Sequence, residues 1–120
     1  MIEYREEPRS NLIEIRVEGK VTRAEFDEVA ANLERAIARH GSVRLLEDIR
    51  DFSGIAASAF WDDVKFSLRH MNDVSRAAIV SEERWVDWHV RIVRPVVKAE
   101  IRTFTHAEAD AARDWLREPR

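Results

Sequence analysis

The segment that most constrains the fold of this chain is an apolar run of strand type that leads into a Ser-Gly turn and then a helix. The run covers residues 43–49, and Asp51, Ser53 and Gly54 follow it closely. In open α/β sheets such a turn presents a hydroxyl and free backbone N–H groups at the carboxyl end of a strand, where ligands bind. We therefore predict an α/β domain with a candidate site at Ser53.

Strand-like and helix-like patterns alternate along the rest of the chain. Thr22 and Glu25 form a capping-box pattern at a helix start, Gly41 suits the end of that helix, and Gly19 is expected to end the strand before it. The predicted strands are 3–6, 12–18, 43–49, 75–81 and 98–105, and the predicted helices are 22–40, 58–71, 83–93 and 106–117. This ββαβαβαβα order implies a five-stranded mixed sheet with four helices, largely parallel after an antiparallel opening hairpin.

Length and composition limit the class of protein. A chain of 120 residues predicts one domain, over residues 1–118, that is large enough to bury its own core. The absence of cysteine excludes a disulfide framework, a zinc–thiolate site and a cysteine nucleophile. The net charge of -3 argues against a general nucleic-acid binder. No run approaches the roughly 18 apolar residues of a membrane span and no signal peptide is recognisable, so we expect a cytoplasmic protein.

The predicted third helix carries an apolar arc wider than a surface helix needs. Projected at about 100° per residue, Trp85 and Ile92 share one stripe and Trp88 extends its flank. The polar side is narrow and consists of Asp87, Arg91 and Arg94. The arc spans roughly 200°, against about 100° for an ordinary amphipathic helix. Two readings stay open: the rings fill the core and a homodimer interface, or they contact an apolar ligand or a membrane surface.

The predicted second helix has an apolar stripe of its own. Both helices follow the carboxyl ends of strands, so their apolar faces are expected to line one cleft. The predicted ligand-binding contacts in this cleft are Phe60, Trp61, Val64, Leu68, Trp85, Trp88 and Ile92.

An ordered set of segments resembles the SpoIIAA-like family, which shares the STAS fold of anti-sigma-factor antagonists and is grouped with lipid-binding Sec14-type domains. The resemblance extends over essentially the whole chain. The segments that carry it are Gly19-Lys20-Val21-Thr22, Val43-Arg44-Leu45-Leu46, Asp51-Phe52-Ser53-Gly54, Phe60-Trp61-Asp62-Asp63-Val64-Lys65-Phe66, Arg76-Ala77-Ala78-Ile79-Val80, Lys98-Ala99-Glu100-Ile101-Arg102-Thr103-Phe104 and Ala112-Arg113-Asp114-Trp115-Leu116.

The resemblance implies a small, non-enzymatic bacterial protein of the cytoplasm that is often dimeric. Members of the family are thought to hold apolar ligands, or to meet membranes peripherally, through amphipathic helices after the third and fourth strands. The expected partners are thus a small apolar ligand or membrane surface, a second copy in a homodimer, and a protein partner, with no nucleic acid.

The resemblance also offers an alternative role for Ser53. In anti-sigma-factor antagonists the turn reads Asp-Ser-Ser-Gly-Leu, and a partner kinase phosphorylates its second serine. Ser53 falls on that position, and Phe52 departs from the pattern by replacing the first serine. A phosphate at a helix start would be stabilised by the helix dipole. The other reading is that Ser53 and Gly54 only form a turn.

The sequence shows no catalytic or cofactor motif. No serine has a recognisable base, and no glycine-rich phosphate loop exists. The histidines are scattered, without metal-ligand spacing; they are His40, His70, His89 and His106. Acidic residues at the end of the third strand, Glu47, Asp48 and Asp51, would form a magnesium site only if their oxygens converged. We therefore predict no enzyme activity, no cofactor and no metal.

Overall fold

Five strands and three α-helices are formed by residues 1–53, 73–95 and 98–119, which are the residues that the computed structural model describes. The strands are β1 (Ile2–Glu6), β2 (Leu12–Lys20), β3 (Val43–Ser53), β4 (Val74–Val80) and β5 (Glu100–Phe104). The helices are α1 (Arg23–His40), α2 (Arg84–Val93) and α3 (Ala109–Arg117), and a 3₁₀ turn, His106–Glu108, leads into α3.

All five strands form one sheet in the order β1-β2-β3-β4-β5. The first pair is antiparallel, and the other three pairs are parallel. Neighbours across the parallel part include Ile15, Glu47, Ile79 and Thr103, which lie side by side on one face. This arrangement confirms the predicted five-stranded mixed sheet with an antiparallel opening hairpin.

The two faces of the sheet are covered by different helices. On the α1 face, buried residues of β2 and β3 such as Ile13 and Leu45 pack against Leu33 of α1. On the opposite face, the α3 face, Leu46 packs against Leu116 of α3. Because side chains alternate along a strand, two consecutive residues of β2, or of β3, face different cores.

The ends of α1 follow the sequence signals. The amide of Glu25 donates to the Thr22 hydroxyl at 3.2 Å, and the Thr22 amide donates to the Glu25 carboxylate at 3.1 Å. At the other end Gly41 has a positive φ of 79°, and its amide donates to the Ile37 carbonyl at 2.8 Å. The predicted capping box and glycine end are therefore confirmed.

Among the boundaries that differ from the sequence prediction are the ends of β2 and β3 and the start of the last helix. Gly19 does not end β2, because its φ of 65° fits a bulge between Glu18 and Lys20 and pairing with β3 continues beyond it. For the same reason β3 runs to Ser53 rather than stopping at residue 49. The last helix begins as a 3₁₀ turn. The predicted second helix, 58–71, and the turn at Gly54 lie outside the described residues.

Candidate functional site at the carboxyl ends of the parallel strands

The parallel strands bring their carboxyl ends to one edge of the sheet. Lys20 at the end of β2 pairs with Ser53 at the end of β3, and Val80 pairs with Phe104 at the ends of β4 and β5. The amide of Ser81 extends this edge by donating to the Phe104 carbonyl at 3.0 Å. Sites in open α/β sheets form at such edges.

A bulge shapes the part of this edge that carries Ser53. Glu18 pairs with Arg50 and Lys20 with Ser53, so β3 contributes one more residue than β2 between these two pairs. Asp51 in that interval has a φ of 46°, in the left-handed region that aspartate tolerates better than most residues. The bulge thereby sets the direction in which the end of β3 leaves the sheet.

Asp48, Glu82 and His106 meet on the α3 face next to this edge. The His106 ring places Nε2 at 3.0 Å from an Asp48 oxygen and Nδ1 at 3.3 Å from a Glu82 oxygen. Asp48 also accepts from the Arg50 Nε at 3.2 Å, and this hydrogen bond raises the pKa of the Arg50 guanidinium. The Asp48 and His106 side chains are only 14% and 22% exposed.

The surrounding backbone holds His106 in this position. It is the first residue of the 3₁₀ turn, which follows Thr105. The Thr105 amide donates to the Glu108 carboxylate at 2.8 Å, and this capping interaction fixes the turn. Asp48 comes from β3 and Glu82 from the segment between β4 and α2, so the imidazole joins three separate parts of the chain.

The imidazole of His106 links two carboxylates that belong to separate segments of the chain. Because both nitrogens face carboxylates, neither is directed at a nucleophile. The carboxylates lie on different sides of the ring, and no three acidic or histidine side chains in the described ranges are grouped to hold a metal ion.

The helix α2 lies over the same end of the sheet, on the α1 face. Val86 and Val90 are buried against Ile49 of β3, with Ile79 and Ile101 packed beside them. The residues Asp87 and Arg91, predicted on the polar side, are exposed. Trp88 is also directed outward, with 61% of its surface exposed. The described side chains thus show an amphipathic helix with a large aromatic ring outside the core.

The structure tests only part of the predicted site. It places Ser53 at the end of β3 and Trp88 on the outer side of α2, while Trp85 and Ile92 are located as backbone positions within α2. The predicted contacts on the second helix lie outside the described residues; they are Phe60, Trp61, Val64 and Leu68. Whether these residues meet in one cleft stays a prediction.

The contact of His106 with Asp48 and Glu82 was not predicted from the sequence. Spacing along the chain did not reveal it, because the three residues belong to separate elements. The signal that could have found it is the sheet register: Asp48, Val80 and Phe104 are side by side in three parallel strands. Glu82 lies two residues after the end of β4, and His106 lies two residues after the end of β5. Both are therefore expected beside Asp48.

Comparisons with known proteins agree on one family. The family model described as SpoIIAA-like matches residues 12–117. A search of curated proteins found no match. Among solved structures, the chain is similar to an uncharacterized protein of the DUF3478 family with a SpoIIAA-like fold from Shewanella loihica PV-4. The two share 25% sequence identity and superpose with a TM-score of 0.69, over 97% of this chain and 92% of the other.

Proposed function

The chain belongs to the SpoIIAA-like family, and from that premise we propose that it is a non-enzymatic STAS-type domain that binds an apolar ligand or a membrane surface. The proposed binding surface is the apolar cleft between the predicted second helix and α2. Its proposed contacts are Phe60, Trp61, Val64, Leu68, Trp85, Trp88 and Ile92. In this proposal the protein is cytoplasmic and meets the membrane only at its surface; no helix in the described ranges is long and apolar enough to cross one.

The observation that carries the proposal is the exposure of Trp88. A tryptophan that is 61% exposed leaves most of a large apolar ring in water. It lies on the outer side of a helix whose Val86 and Val90 anchor the inner side. Helices that lie in a membrane interface combine an apolar surface with flanking basic residues. In α2 and just after it, the basic residues are Arg91 and Arg94.

The packing of α2 indicates how binding would act on the domain. In the described part of the chain, its core is a cluster of Ile49, Val86 and Val90, smaller than the clusters under α1 and α3. A ligand shifts such a helix only by its difference in affinity between two positions of the helix. An element held by few buried residues requires a smaller difference than one held by many.

Tryptophan fluorescence tests this function directly. We expect a fatty acid, or vesicles that contain anionic phospholipid, to shift the emission of the protein to shorter wavelength. Trp88→Phe should lose a large part of the shift. Trp115→Phe is the matched control, because Trp115 is buried under the opposite face and should not report binding. No spectral change with either lipid form would contradict the proposal.

A second candidate function is a phosphorylation switch at Ser53. It is favoured by the register of the sheet, which pairs the backbone of Ser53 with that of Lys20, a residue whose positive charge would attract a phosphate. The added charge would change docking of a protein partner at the carboxyl edge.

Mass spectrometry of the protein from its own host tests the switch. We expect an excess of about 80 Da that survives denaturation, maps to Ser53 and is absent in Ser53→Ala. A Ser53→Asp protein that binds its partners as the unaltered protein does would exclude a regulatory role.

A further inference from the structure

The outer side of β1 offers a row of backbone groups for pairing. The Met1 amino group donates to the Glu18 carbonyl and the Glu18 amide to the Met1 carbonyl, both at 2.9 Å, and the Glu7 amide donates to the Leu12 carbonyl at 3.0 Å. In an antiparallel pair these bonds alternate, so the groups of odd-numbered residues face β2. Those of Ile2, Tyr4 and Glu6 therefore face away, and no strand of the described chain pairs with that side.

A hydrogen bond to α1 supports this orientation. The pKa of Glu25 lies below its usual range because of hydrogen bonds from Thr22, and a backbone hydrogen bond from Ile2 contributes to the same effect. The Ile2 amide therefore points away from β2, as the alternation requires. Because this amide already donates to Glu25, the groups open to a second strand are the Ile2 carbonyl and the amides and carbonyls of Tyr4 and Glu6.

The charge pattern of β1 is complementary to itself in one antiparallel register. If Tyr4 of two copies face each other, Ile2 of one copy pairs with Glu6 of the other, and Glu3 faces Arg5 twice. Both Glu3 and Arg5 are exposed on the α3 face, and Arg5 reaches only as far as Glu14, at 3.1 Å. Shifting the register by two residues in either direction sets Glu3 against Glu3 or Arg5 against Arg5, which is unfavourable.

We propose that two copies of this chain associate through β1, antiparallel and with Tyr4 on the two-fold axis, to form one ten-stranded sheet. Such an interface is isologous, since the same strand serves both partners. It gives the homodimer predicted from the sequence a specific interface. The proposal does not depend on ligand binding, because α2 packs over β3, β4 and β5 and not at the β1 edge.

The helices leave room for this association. The core of α1 is centred on β2, where Leu33 packs with Ile13 and Ile15. In the proposed dimer, the β2 strands of the two copies are separated by three strand spacings, or about 14 Å. Packed helices need about 8–10 Å between their axes, so the two α1 helices do not collide.

A cavity lies on the α1 face of each copy, between the end of β1 and α1. It has a volume of about 350 Å³ and is lined by Tyr4, Glu6, Asn32, Arg35, Ala38 and Arg39. Glu6 holds the ring hydroxyl of Tyr4 at 3.0 Å and also pairs with Arg39. These side chains keep the Tyr4 ring in the cavity on the α1 face, so it leaves the backbone edge open to a second strand.

Charge exchange tests the interface on the full chain. We expect native mass spectrometry and sedimentation to show a dimer at neutral pH. Glu3→Arg, which puts like charges together twice, should weaken the dimer at least about ten-fold. The exchange Glu3→Arg with Arg5→Glu should restore it. Glu118→Arg is the matched control, with the same change of charge at an exposed residue after α3.

Cross-linking tests the register. Because the chain has no cysteine, single cysteines report only the contacts they are placed in. A mixture of Glu3→Cys and Arg5→Cys chains should form a disulfide-linked heterodimer, since these residues would be directly opposite, with Cα atoms about 4.5 Å apart. Either variant alone should cross-link far less, because its two cysteines would be diagonal neighbours.

Three results would overturn the proposal. If the protein is monomeric at every soluble concentration, the β1 edge does not bind a second copy, and a strand of another protein would be its partner instead. A dimer that Glu3→Arg does not weaken would have a different interface. Equal cross-linking of the mixture and of either cysteine variant alone would exclude the register.

Discussion

Charged side chains on the α3 face pair across strands at the border of the core. Glu14 of β2 receives two hydrogen bonds from Arg113 of α3, at 3.0 and 3.2 Å, and one from Arg5 of β1 at 3.1 Å. Burial would raise the pKa of the Glu14 carboxyl, but the hydrogen bonds and charges of Arg113 and Arg5 hold it below its usual range. Its ionised form therefore contributes to stability.

The contribution of Glu14 should depend on pH. Because the folded protein lowers this pKa, the stabilisation is present at neutral pH and is lost as the pH falls below the ordinary range of a glutamate. We expect Glu14→Gln to lower the free energy of unfolding by about 1 kcal/mol at pH 7 and by much less near pH 3. Urea unfolding at both pH values measures this.

A control separates this effect from a general loss of negative charge. Glu118 is exposed after the end of α3, so Glu118→Gln should leave the stability unchanged at both pH values. If Glu14→Gln costs the same at pH 3 as at pH 7, the ion pair with Arg113 is not what stabilises this position.

At the scale of elements, the ends of α1 and the strand cores were predictable, and the ends of β2 and β3 were not. Capping signals act through neighbouring residues, so Thr22 and Gly41 marked the ends of α1 correctly. The ends of β2 and β3 depend on each other through the bulge at Gly19 and Asp51, which is a contact between distant residues. A local pattern does not contain that information.

The same distinction holds for the candidate site. The edge of the sheet was predictable from the strand–helix order, because parallel strands end together. The contact of His106 with Asp48 was not, because it requires the relative positions of β3, β4 and β5. The amphipathic character of α2 was visible in its periodicity, and the structure adds which side is buried, through Val86 and Val90.

The capping box of α1 leads to a prediction at this scale. Thr22→Ala removes the hydroxyl that accepts from the Glu25 amide, and we expect it to lower the free energy of unfolding by about 1 kcal/mol. Thr22→Ser keeps an accepting hydroxyl and should cost much less. Thermal or urea unfolding compares the two, and equal losses would mean that the methyl group rather than the hydroxyl bond is important.

The terminal helix shows how side chains rather than a glycine end an element. Arg76 of β4 donates to the Trp115 carbonyl at 2.8 Å and to the Glu118 carbonyl at 3.1 Å, and so satisfies the last turn of α3. The same guanidinium is 5.4 Å from the centre of the Trp115 ring, and that of Arg102 is 4.7 Å away. The sheet thus anchors α3 by both its backbone and its aromatic residue.

At the scale of the whole molecule, the central strands connect the two hydrophobic cores. Leu45 is buried on the α1 face and Leu46, the next residue, on the α3 face. Leu12 and Ile13 stand in the same relation on β2. Losing the pairing of β2 with β3 would therefore disrupt both cores, so we expect the described sheet and its helices to unfold as one cooperative unit.

Truncations on opposite faces test this cooperativity. Leu33→Ala removes a buried side chain from the α1 face and Leu46→Ala removes one from the α3 face, and each should lower the free energy of unfolding by about 3 kcal/mol. Each should also move the midpoint equally in far-ultraviolet circular dichroism and in tryptophan fluorescence. The critical case is Leu33→Ala in a chain whose other tryptophans, Trp61, Trp85 and Trp88, are replaced by phenylalanine, because the remaining Trp115 is buried on the other face. If its backbone signal were lost at a lower urea concentration than its tryptophan signal, the two cores would unfold separately and the central strands would not couple them.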